Sequence, residues 1–179
     1  MIDREAFVNA LVSQLPHLRR YAVAITGNAA LADDLVQDSI ERALRQSAQL
    51  RELELLPRWL RRILHNLYVD EIRRRQSRGS LQDIMELSDH LELSTPALDG
   101  NLAREFVKAM DALSIEHRQI LLLVGLEELS YRQIADELEV PIGTVMSRLA
   151  RARERLRSIM EDGTDSNVVL APLVVNDES

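Results

Sequence analysis

Apolar residues recur every three to four positions through residues 1–75, the spacing of amphipathic helices rather than of strands. One helix is predicted from a cap at Asn28, just after a Thr26-Gly27 stop, to about Gln46. Its apolar stripe is Ala32, Leu35, Val36, Ile40, Ala43 and Leu44. Its opposite face carries Asp34, Gln37, Asp38, Glu41 and Arg45. A looser stretch, about Ser47–Leu55, leads to another helix opened by Pro57. There Leu56, Leu60, Ile63, Leu64 and Leu67 fall on one side. Arg58, Arg61, Arg62, His65 and Arg73 fall on the other.

The periodicity then lapses. Ser77, Gly79, Ser80 and Ser88 stand among Asp83, Glu86, Asp89 and Glu92, so residues 76–93 are expected to form an acidic flexible linker, with at most one short helical turn. A second helical domain, 94–162, is predicted to open at the cap Ser94-Thr95-Pro96 with a core stripe of Leu102, Phe106, Met110 and Leu113. Ser114 caps the next helix, which holds the apolar run Ile120 to Val124. Ser130 and Gln133 form a capping box for a short helix ending near Leu138. Val140-Pro141-Ile142-Gly143 makes a turn, and a long helix follows to about Met160. The tail 163–179, with an apolar patch around Val168–Val175 broken by Pro172, is expected to be mobile or to dock weakly. The predicted class is all-α: two small helical domains, 1–75 and 94–162, joined by an acidic linker, the second containing a helix-turn-helix.

Composition narrows the chemistry. A chain of 179 residues, 46% hydrophobic and 28% charged, suits one or two small cored domains. No apolar run has the length of a membrane span, and the start Met1-Ile2-Asp3-Arg4-Glu5 lacks a signal peptide's basic region, so a cytoplasmic protein without stable membrane insertion is expected. The absence of cysteine excludes disulfides, thiol catalysis and cysteine-ligated zinc. His17, His65, His90 and His117 have no ligand spacing, so neither a metal nor another cofactor is expected.

The net charge of −7 would argue against a polyanion partner if it were evenly spread. It is not. Residues 58–78 set seven arginines against Asp70 and Glu71, and residues 142–159 set five against Glu154. Two basic islands in an acidic body suit a protein that meets nucleic acid at two places.

Tyr131 to Ala152 reads as a helix-turn-helix. Ile134, Ala135 and Leu138 face inward from its first helix, while Val140 and Val145 plug the corner. Leu149, Ala152 and Leu156 continue the buried stripe. Met146, Ser147, Arg148, Ala150 and Arg151 point outward, flanked by Arg153, Arg155 and Arg157, as a helix entering the major groove requires. An ordinary helical hairpin with a solvated basic face would share this pattern. Glu139 takes the turn position usual for glycine, at a cost of about 1 kcal/mol if its φ is positive.

The cluster Asp33-Asp34-Leu35-Val36-Gln37-Asp38 is open to three readings: a metal site, a solvated acidic face, or a docking face for a basic partner helix. Asp33 and Asp34 diverge by roughly 100° on a helix, which weakens the first. The face Arg58, Arg61, Arg62 and His65 does not mix signs as solvated faces usually do, and it would suit the backbone of a separated strand. The Trp59 ring is expected to pack in the core.

The order of these segments carries a resemblance. A DDLVQD helix, a PRWLRRILHN helix ending DEIRRR, an acidic linker, and then SYRQIADELEVPIGTVMSRLARARERL is similar to bacterial RNA polymerase sigma factors of the short, two-domain extracytoplasmic-function (ECF) group. The likeness spans about residues 10–160.

It implies a promoter-specificity subunit rather than an enzyme, serving an alternative transcription programme such as a stress response. Asp34, Leu35, Val36, Gln37, Asp38 and Glu41 would bind core RNA polymerase at the clamp helices of its largest subunit, with the flap as a further contact. Arg58, Trp59, Arg61, Arg62, His65, Asn66 and Arg73 would meet the minus-ten promoter DNA, with the loop 47–55 holding a flipped base. Thr144, Met146, Ser147, Arg148, Arg151 and Arg153 would meet the minus-thirty-five DNA, Met146 departing from the basic or polar residue frequent there. The linker would thread toward the active site and RNA exit path, and an anti-sigma factor is the implied restraint. The competing readings are a sigma-like mimic that only titrates an anti-sigma protein, a conventional helix-turn-helix regulator, and a metal-dependent hydrolase using Asp33, Asp34 and Asp38.

Overall fold

A computed structural model describes residues 2–77 and 100–163. The described elements are helical throughout, and the chain divides into two compact units, Met1–Leu91 and Glu92–Ser179. Most of the expected linker 76–93, the Ser94-Thr95-Pro96 cap and the tail beyond residue 163 lie outside the described residues.

The first unit is built from α1 (Arg4–Thr26), α2 (Ala29–Arg45) and α3 (Leu56–Ser77), each packed on the other two. Asp3 caps α1 by accepting from the Glu5 and Ala6 amides, both at 3.1 Å. Gly27, at φ 67°, ends it in the left-handed region where glycine carries no Cβ penalty. Asn28 then caps α2, its Oδ1 accepting from the Leu31 amide at 2.8 Å, so the expected stop and restart stand one after the other. Two 3₁₀ turns, Ser47–Gln49 and Leu53–Leu55, fill the looser stretch before α3.

The stripe of α3 is buried as predicted at Leu56, Leu60, Ile63, Leu64 and Leu67, with Tyr68 added. Full burial of one such leucine contributes about 1.5–3 kcal/mol. The helix also runs through Gln76 and Ser77, two residues into the expected linker. Arg74 and Arg75 both pair with Glu71 one turn earlier, which stabilises that last turn. On α2 the stripe needs one correction: Leu44 is 47% exposed, and Ser39 is fully buried in the row instead. Ser39 tolerates this because its hydroxyl donates to the Leu35 carbonyl at 2.6 Å.

The second unit contains α4 (Gly100–Asp111), α5 (Ile115–Gly125), α6 (Tyr131–Leu138) and α7 (Ile142–Gly163), with α7 packed against the other three. Ser114 caps α5 by accepting from the His117 amide. Ser130 and Gln133 make the expected reciprocal capping box on α6. The stripe of α4 needs one correction, Val107 taking the inward place expected of Phe106. Val107 and Met110 are buried, with Leu113 just beyond the helix, whereas Phe106 is 37% exposed; the side chain of Leu102 is not among those described.

Candidate functional site

The carboxylate face of α2 points away from the first unit's core. Asp34, Gln37, Asp38 and Glu41 are exposed opposite the buried Leu31, Ala32, Leu35, Ser39 and Ala43. Gln37 donates to Glu41 at 3.4 Å, and Arg45 pairs with the same carboxylate at 3.3 Å. The side chains of Asp34 and Asp38 have no ion pair or hydrogen bond among the described residues. Asp33 behaves differently from its neighbour: the Arg19 guanidinium of α1 grips it with two bonds, 2.7 and 3.2 Å long, which ties α2 to α1. Leu35 is only 4% exposed and Val36 half-buried. Leu35 therefore packs into the core of the unit and holds the helix in place, leaving the neighbouring polar side chains as the presented surface. Among the described residues no three His, Asp or Glu side chains gather as a metal site would require.

On α3, Arg62, Asn66 and Arg73 are exposed, while Arg58, Trp59, Arg61 and His65 are half-buried. Trp59 is thus not sealed into the core as expected. Partial burial is the usual state of arginine stems lying along an apolar surface with the guanidinium outward. Arg73 has no ion pair among the described residues, unlike Arg74 and Arg75, whose charge Glu71 partly offsets.

Helices α6 and α7 follow one another across a short turn and pack against each other. Ile134, Ala135, Val145, Leu149, Ala152 and Leu156 are buried, and Val140 is half-buried at the corner. Leu138 is half-buried, and Glu137 beside it is buried instead. Glu139 adopts φ 56°, ψ 44°, the left-handed conformation its position implied, and the Val140 amide closes the turn on the Ala135 carbonyl at 3.0 Å.

Beyond the turn, Met146, Ala150, Arg151 and Arg155 are exposed, whereas Thr144, Ser147, Arg148 and Arg153 are half-buried. The Ser147 hydroxyl donates back to the Thr144 carbonyl at 3.1 Å. Arg148, Arg151 and Arg155 lie at i, i+3 and i+7 on one flank of α7, and none has an ion-pair partner among the described residues. Arg157 is paired with Glu154 at 3.0 Å. Arg153 falls on the other flank, with one buried guanidinium nitrogen lacking a hydrogen-bond partner among the described residues. Arg155, one turn beyond Arg151, is exposed on the same flank, and their i, i+4 spacing is the sequence signal that relates them.

A structural feature without a sequence signal sits at the α4–α5 corner. Arg118 is 5% exposed, pairs with Asp111 at 3.2 Å and donates to the backbone carbonyl of Asp111 at 2.8 Å. It satisfies the open C-terminal end of α4 and fixes the angle at which α5 leaves it. Burial pushes the Asp111 carboxyl above the ordinary carboxylate range, and Arg118 offsets this only in part.

Two family models match the chain: "Sigma2 domain of PhyR" over residues 11–65 and "Sigma-70, region 4" over residues 103–156. The chain is 34% identical over 151 residues to the ECF RNA polymerase sigma factor EcfG of Rhodopseudomonas palustris, covering 84% of this chain and 82% of that protein. It is 34% identical to the ECF sigma factor SigL of Mycobacterium tuberculosis (81% and 83% covered) and 26% identical to SigW of Bacillus subtilis (89% and 91%). Among solved structures, the sigma factor RpoE in complex with the anti-sigma factor NepR, from Bartonella quintana, matches with a TM-score of 0.68 and 28% identity over 87% of this chain and 96% of that one.

Proposed function

This chain belongs to the ECF RNA polymerase sigma factors, and on that footing we propose how its surfaces divide the work of initiation. The strip Asp34, Gln37, Asp38 and Glu41 docks on core RNA polymerase, at the clamp helices of the largest subunit, with Leu35 and Val36 positioning the helix. The α3 face Arg58, Arg61, Arg62, His65, Asn66 and Arg73, with Trp59 and the 47–55 loop beside it, holds the separated minus-ten strand. The α7 face Thr144, Ser147, Arg148, Arg151 and Arg155 meets the minus-thirty-five duplex, Arg153 and Met146 on its edge, and the second unit also lies against the polymerase flap.

The observation that carries this reading is a set of charges without partners among the described residues, all exposed except the half-buried Arg148. Asp34 and Asp38 on one unit, and Arg148, Arg151 and Arg155 on the other, have no counter-charge among the described residues. Such groups cost little in water and become useful when a partner of opposite sign arrives. Arginine rows against phosphates hold a helix in register, and its first turns reach base edges. The chemistry of RNA synthesis stays with the polymerase.

An anti-sigma factor restrains the chain by covering one of these faces. The RpoE likeness, found in complex with NepR, supports this. The test is holoenzyme assembly: core polymerase titrated with the chain should form a stoichiometric complex that selects a subset of promoters from a genomic pool. Core alone should select none. A chain that binds an anti-sigma protein but never core polymerase would be a mimic, contrary to this proposal.

A further inference from the structure

The arginine flank of α7 leaves an apolar feature unused. Met146 is 53% exposed, and Ile142, one turn earlier, is 48% exposed. Neither is needed to close the core, because Val145 and Leu149 fill that side of the helix and are themselves buried.

A single exposed methionine is unremarkable in itself; its position is what matters here. At the helical repeat, Met146 stands beside the exposed small residues Gly143 and Ala150. A Cβ added at Gly143 would meet nothing within 4 Å, so the fold does not demand glycine there, although glycine weakens a helix relative to alanine. Small outward residues let a helix backbone settle toward the floor of a groove, and a long unbranched side chain next to them then reaches the base edges. The thioether donates no hydrogen bond and accepts only weakly, so it cannot read a purine edge as arginine or asparagine does. The apolar group that the major groove offers is the C5 methyl of thymine. Methionine is adaptable enough to pack on it.

We propose that Met146 selects a thymine in the minus-thirty-five duplex through its C5 methyl group, with Ile142 walling the contact; this rests on the reading of α7 as the duplex-facing helix. Specificity at that base pair is then set by apolar packing rather than by hydrogen bonding. Neighbouring arginines supply the phosphate contacts.

The experiment uses holoenzyme formed from core polymerase and the full chain. Duplexes are first selected from a pool randomised across the minus-thirty-five region. Each thymine of the preferred duplex is then replaced singly by deoxyuridine, which removes only the methyl group. One replacement should lower affinity about fourfold, the loss expected when one methyl drops out of a buried contact. Met146→Ala should weaken binding to the thymine duplex by a similar factor and no longer distinguish the two bases, while Met146→Leu should retain the distinction. A preferred duplex indifferent to uracil at every position, or a sensitivity that persists in Met146→Ala, overturns the methyl contact alone. A pool that yields no preferred duplex overturns the assignment of α7 as well.

Discussion

Glu139 holds a conformation that L-residues with a Cβ occupy at a cost of about 1–2 kcal/mol, and glycine without that penalty. Glu139→Gly should therefore stabilise the second unit by about 1 kcal/mol net of glycine's larger unfolded-state entropy, seen as a rise of a few degrees in its thermal midpoint. The position was legible because glycine commonly fills that turn. Glu128, also left-handed at φ 54°, follows no such motif and was not foreseen. Arg118 and Asp111 make a second residue-scale case. Arg118→Met removes the counter-charge of a partly buried carboxylate and the donor to the α4 end, and should cost about 3–5 kcal/mol in urea unfolding. Because the native Asp111 carboxyl is raised above its ordinary 3.8, the folded state keeps a proton that the unfolded chain has already released. Stability from this group is greatest below that value and declines as pH rises through the raised one. Asp111→Asn should flatten that limb of the stability–pH curve.

At the scale of elements, α2 separates attachment from presentation. Its buried row fixes it to α1 and α3, and its outer strip is free to change without unfolding the unit. Asp38→Arg should leave the thermal midpoint within a degree or two and weaken holoenzyme assembly at least tenfold by titration against core polymerase. The two basic helices should likewise come apart under mutation. Arg151→Ala should lower affinity for minus-thirty-five duplex and reduce its salt slope by about one unit if the contact is to phosphate.

Helix limits read well from sequence because caps are local: Asn28, Ser114 and Ser130 each satisfy amides within three residues. The strongly two-faced α3 read equally well, since its apolar row admits one inward side. What failed was burial where tertiary partners decide it. Phe106 and Leu44 are apolar yet lie at the edge of their packed faces, while Ser39 and Arg118 are polar yet find backbone acceptors inside. The Arg118 pairing joins two helices that no periodicity relates, and the Ser39 bond, though within its own helix, leaves no mark in an apolar pattern.

For the whole molecule, the likeness to ECF sigma factors spans both units, and the two proposed DNA contacts would gain from being carried on one chain. Each alone is modest; tethering raises the effective concentration of the second once the first has formed, and core polymerase sets their spacing. The units supplied as separate chains should therefore support far less initiation than the intact protein at equal concentration. The central claim is that α3 acts on the opened strand and α7 on the duplex. Run-off transcription by holoenzyme, on one promoter offered both as intact duplex and with its minus-ten region already unpaired by mismatches, tests it most directly. Arg62→Ala should be strongly defective on the duplex template and largely restored on the pre-opened one, whereas Arg151→Ala should be equally impaired on both. Equal rescue of the two variants, or of neither, would contradict the division of labour proposed for the two helices.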